Sequence, residues 1–151
     1  MTLEWILAWL HLLALGMGLG AVWARGLALA GELDRAGLRR VFLADNFWGA
    51  AAALWIVTGL LRAFGGFGKG APYYLHNTAF LLKMALFIAV LLHEIRPMVT
   101  LIRWRARVSR GEVPTDLAVA RRLARISYIE AVLVVLMVLA ATAMARGIGS
   151  S

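Results

Sequence analysis

The sequence predicts an all-α integral membrane protein, a four-helix bundle, and three observations carry that expectation. Hydrophobic residues make up 62% of the 151 residues and charged ones only 16%. Soluble domains are nearer to about 50% apolar and about 25% charged. The apolar residues gather into four runs, 3–24, 41–63, 75–95 and 126–145, each near the ~20 residues that span a hydrocarbon core. Every run has helix length, and an open sheet cannot cross lipid because its edge N–H and C=O groups would go unpaired. Disorder is excluded by the same apolar surplus. The chain has no cysteine, which removes disulfides, zinc–thiolate sites and iron–sulfur clusters.

The first run opens MTLEWILAWLHLL, with Glu4 and no Lys or Arg ahead of it. A cleavable signal peptide has a positive n-region, so this span is expected to be retained. The polar stretch GELDRAGLRR leads to the second run, which Asp45, Asn46 and Arg62 interrupt. GGFGKGAPYY, rich in glycine, reads as a loop. The third run carries Lys83 in its middle, and the basic stretch HEIRPMVTLIRWRARVSRGEVPTD follows, with a turn at Gly111 and Pro114. Thr115 or Asp116 can cap a helix that continues through ARRLARISY into the fourth run. Gly16 and Gly20 form a GxxxG pair, a sign of close helix packing and compatible with a homo-oligomer.

Orientation follows from the cations. The first and third loops hold twelve: Arg25, Arg35, Arg39, Arg40, Arg96, Arg103, Arg105, Arg107, Arg110, Arg121, Arg122 and Arg125. The other side holds three, Arg62, Lys69 and Arg146. Positive loops face the cytoplasm, so both termini are expected in the periplasm of a bacterial inner membrane. The net charge of +8 is then topogenic and needs no nucleic acid, and the basic loops suit anionic headgroups.

Ionisable groups inside lipid need a partner or a job. Glu4, His11, Gly18 and Arg25 recur at intervals of seven, close to two turns, and so form one stripe. His76, Lys83 and Glu94 share a face by similar spacing, as do Trp48, Trp55 and Arg62, with Asp45 one turn further in. Depth divides these groups into two layers. Arg25, Asp45, Glu94 and Glu130 fall near the inner end, where an interhelical ion-pair cluster is the simplest reading. His11 and Lys83 both lie about 12 Å below the outer surface at 1.5 Å per residue, beneath a mouth of Arg62, Tyr73, Tyr74, His76 and Asn77. The bland alternative is a histidine hydrogen-bonded to a neighbouring helix and a lysine reaching outward to Glu4.

If the outer layer holds a cofactor, haem b is the candidate. Imidazole is a common axial ligand, and bundle interiors hold such groups. His11 is then the iron ligand, while Lys83 is either a second ligand or a charge partner, and Arg62 is a further cofactor contact. His93 and His76 lie about 15 Å deeper and about 10 Å shallower than His11, too far to share one iron with it.

Nearly the whole chain resembles a family of bacterial four-helix membrane proteins, domain of unknown function 2214. WLHLLA, LADNFWGAA, GLLRAF, KGAPYYLHNTAFLLKMALF, IRPMVTLIRWR and AMARGIG carry the likeness. A first-span LH, an Arg at that helix's inner end and a third-span Lys followed ten residues later by His also resemble HemJ-type protoporphyrinogen oxidases. Those four-helix enzymes bind haem and rely on a first-helix His and a third-helix Lys. The matches here are His11 and Lys83, with Arg25 and His93 beside them. The resemblance implies haem binding and oxidoreductase chemistry, with Lys83 catalytic. The expected activity is that of a redox protein passing electrons to quinone or oxidising a porphyrin-type substrate. The rival expectation is a cofactor-free transporter, channel or accessory subunit.

Overall fold

A computed structural model of the chain describes residues 2–67, 71–114 and 116–149. Four helices are long and apolar enough to cross a membrane: α1 (Thr2–Ala30), α2 (Arg35–Phe64), α4 (Thr78–Val108) and α5 (Leu117–Ala145). A short α3 (Ala71–Leu75) precedes α4. No strand occurs among the described residues.

The helices outrun the expected spans. They contain 29 to 31 residues, hence about 45 Å each, against a hydrocarbon core of about 30 Å. GELDRAGLRR is helical from Arg35, and α4 continues through Pro97 to Val108, well past the expected end at 95. The apolar surplus stops where lipid stops, but backbone hydrogen bonding does not. Along the extensions Leu38, Val41, Leu101, Trp104, Ala120 and Leu123 are buried together with Leu29, Leu33 and Ala124. This second core packs the Arg-rich end as a soluble bundle would.

Helix starts are set by side-chain caps that take up otherwise unpaired N–H groups. Asp34 accepts from the Gly37 N–H at 2.6 Å, Asn77 from Phe80 at 3.0 Å and Asp116 from Val119 at 3.0 Å. Asp116 is thus the cap of α5, and the alternative Thr115 lies outside the described residues, as does Lys69. Within the stretch expected to be a loop, Ala71–Leu75 forms a turn of helix.

Helix α1 packs closely on α2 and on α5, and α5 on α4. Close backbone approach between α2 and α4 is almost absent, and long side chains bridge that seam instead. Gly18 allows the α1–α2 contact, since a Cβ there would sit 3.3 Å from the Trp48 ring. Gly16 and Gly20 do not serve helix packing within the chain, because nothing lies within 4 Å of where either Cβ would be. Their stripe is turned away from the neighbours that Gly18 meets.

Candidate functional site

The structure brings the two predicted layers together on the inner faces of the bundle. At the inner layer Arg25 is wholly buried and spends every N–H it has. Its Nε donates to Ser127 Oγ at 3.0 Å. Nη1 donates to Asp45 and Glu94, both at 2.9 Å, and Nη2 to Glu94 at 2.8 Å and Glu130 at 2.7 Å. One guanidinium on α1 therefore ties together α2, α4 and α5. The Trp48 indole donates to Glu94 at 3.0 Å, and Arg105 donates to Asp45 at 2.9 Å and to Asn46 at 3.0 Å. The expected ion-pair cluster is present, enlarged by Ser127, Trp48 and Arg105, which the sequence reading left out. Ser127 stands three residues before Glu130, one turn along the same face, and that spacing was the available signal.

At the outer layer His11 and Lys83 line one cavity of about 90 Å³, together with Trp55, Gly59, Phe80 and Phe87. The His11 ring stacks on Trp55 with centroids 5.3 Å apart and planes at 20°. The Lys83 Nζ lies 5.5 Å from the Trp55 ring centroid. Trp55 meets Phe87 edge-on at 5.6 Å. Gly59 is required by the close approach of α2, because a Cβ there would come within 3.2 Å of the His11 Cε1. Lys83 makes no ion pair among the described residues, and the alternative reach toward Glu4 is not made. The Trp55 Nε1 is buried without a hydrogen-bond partner.

The state of His11 depends on its neighbour. The Thr58 Oγ1 lies 2.7 Å from the Leu54 carbonyl, 3.2 Å from the Trp55 carbonyl and 2.9 Å from His11 Nδ1. With the hydroxyl proton given to a carbonyl of its own helix, that oxygen accepts from Nδ1–H and Nε2 keeps its lone pair. The expected hydrogen bond to a neighbouring helix is made, and in this tautomer the other nitrogen is left open for chemistry.

Other expected site residues are placed differently. Arg62 does not line the His11 cavity; with Glu4, Tyr73 and Tyr74 it lines the next one outward, of about 270 Å³. It continues the Trp48–Trp55 stripe, but two further turns carry it about 10 Å toward the helix end. Asn77 is spent as a cap, and His76 is exposed, its Nδ1 2.8 Å from the Pro72 carbonyl. Glu4 is exposed, unlike the buried His11, Gly18 and Arg25 of its stripe. His93 is exposed and bonds to the Ala89 carbonyl. Among the described residues no cluster of three or more His, Asp or Glu side chains is arranged for a metal ion.

The donor set is one a haem iron could use: a neutral imidazole with its Nδ1–H held by Thr58 is the arrangement that orients a metal-ligating histidine, and the walls are aromatic and apolar. The cavity is smaller than the ~300 Å³ at which small-molecule pockets begin and would have to widen to hold a macrocycle; the α2–α4 seam beside it has little backbone packing.

No curated protein and no solved structure matches the chain. The expected likeness to HemJ-type oxidases is therefore not supported, and of the four residues that suggested it His93 stands outside the cavity. Residues 3–149 match the family model described as "Predicted membrane protein (DUF2214)", and the chain belongs to that family.

Proposed function

We propose that this membrane protein binds haem b through His11 and serves as a redox protein of the bacterial inner membrane. The observation that carries the reading is the Thr58–His11 Nδ1 contact within the bundle, which in the Nδ1–H tautomer leaves Nε2 as an intramembrane lone pair. Haem, when bound, supplies a one-electron redox centre. Lys83 stands on the same cavity either as a second ligand, when neutral, or as the charge partner of a propionate. Arg62, in the adjoining outer cavity, offers a second cation to such a group. Quinone is the electron partner this seam suits: it reaches the site from within the bilayer, and its carbonyl oxygens can accept from the unpartnered Trp55 Nε1–H.

The visible spectrum of the purified protein, expressed with ample haem, tests this reading. The wild type is expected to show a Soret band, and His11→Ala is expected to lose most of it. Lys83→Met shifts the band if the amine ligates the iron, because a thioether replaces it. The band holds, with weaker haem retention, if Lys83 acts by charge. Wild-type protein without a chromophore overturns the proposal and leaves the cofactor-free transporter or accessory subunit.

A further inference from the structure

The inner cluster does not balance its charge. Two guanidiniums, from Arg25 on α1 and Arg105 on α4, face three carboxylates, from Asp45 on α2, Glu94 on α4 and Glu130 on α5. The surplus falls at one place. Of the three carboxylates Arg105 reaches only Asp45, so Arg25 is left to serve Glu94 and Glu130, and both carboxylates use the same nitrogen, Nη2, at 2.8 and 2.7 Å. Arg25 has no further N–H to give. The Glu130 Oε1 is the atom that goes without: the side chain is wholly buried and this oxygen has no hydrogen-bond partner. A carboxylate oxygen stripped of water and of donors is far costlier in its ionised form than as a neutral acid. Two carboxylates drawn to one point, in a site that cannot neutralise both, are relieved by sharing a proton.

We infer that Glu94 and Glu130 hold one exchangeable proton between them, so that the Arg25 cluster is a protonatable site rather than a fixed set of ion pairs. A cavity of about 50 Å³ adjoins Glu94 on the side toward the outer layer, lined there by Trp48 and further out by Trp55 and Phe87. The same Trp55–Phe87 pair walls the His11 cavity. The proton-bearing pair and the outer site thus stand on opposite sides of one aromatic contact, along the seam where α2 and α4 are joined by side chains. This inference does not depend on haem.

Infrared spectroscopy of the full-length protein in lipid nanodiscs at neutral pH tests it. The wild type is expected to show the C=O stretch of one protonated carboxylic acid, and the band is expected to move down in deuterated buffer. Glu130→Gln and Glu94→Gln should each abolish the band, since either leaves two carboxylates for two guanidiniums. Glu112→Gln, at an exposed pair with Arg107, should leave it intact. Should Glu130→Gln fail to fold, Glu94→Gln gives the same reading. A wild type without the band, a band retained in both cluster variants, or one insensitive to deuteration overturns the inference.

Discussion

Thr58 decides what His11 can do, although only one hydrogen bond connects them. With the hydroxyl proton on a carbonyl of its own helix, the Thr58 lone pair holds the imidazole proton on Nδ1. Thr58→Val keeps the shape and removes that acceptor. The buried Nδ1–H is then unsatisfied, at a cost of about 1–3 kcal/mol in stability. Haem retention should fall by roughly 10- to 100-fold, the usual effect of losing an outer partner of a ligating histidine. Thr58→Ser should restore both. Thermal melts and haem titrations of the two variants measure this, and equal behaviour of Val and Ser would remove Thr58 from the site.

Contacts between whole helices depend on where glycine lies rather than on how much of it there is. On α1, Gly26 faces α5, and a Cβ there would come within 2.7 Å of the Tyr128 Cε1. Gly16, ten residues earlier, meets nothing within 4 Å. Gly26→Ala should therefore overpack the α1–α5 contact and cost about 1–3 kcal/mol. Gly16→Ala should be neutral, or stabilising by up to about 1 kcal/mol through helix propensity. Melting temperatures in detergent separate the two, and a Gly16 variant as unstable as the Gly26 one would show that α1 packs by its other face. The same helix contributes His11 and Arg25 to the two layers, so α1 is the element on which both sites are registered.

Across the whole molecule the charges are sorted to one end. Arg35, Arg39, Arg40, Arg96, Arg103, Arg107, Arg110, Arg121, Arg122 and Arg125 are all exposed there, on helix extensions that stand beyond the hydrocarbon. Such a bias predicts that this end faces the cytoplasm and both termini the periplasm. Reporter fusions at Ala106 and Ser151 should report cytoplasmic and periplasmic positions respectively. A cytoplasmic report from Ser151 would reverse the molecule and move the His11 cavity to the inner leaflet. Each exposed Arg near an anionic surface adds about 1 kcal/mol of attraction, so binding to the membrane face should weaken with salt.

The sequence by itself determined the all-helical membrane class, the inward stripes of α1 and α2 and the two polar layers, because hydropathy and helical spacing are local properties of the chain. It also named His11, Lys83, Arg25, Asp45, Glu94 and Glu130, since an ionisable residue within an apolar run stands out at once. The helices extend beyond the apolar runs where hydropathy and hydrogen bonding part company, as between Ile95 and Val108. Only the tertiary structure decided that Arg25 meets all three carboxylates, that Thr58 sets the His11 tautomer, and that Arg62 stands outside the cavity. It alone decided that α2 and α4 meet through side chains. Those facts depend on the rotation and register of one helix against another, which residues far apart in sequence fix jointly and no single helix carries in its own pattern.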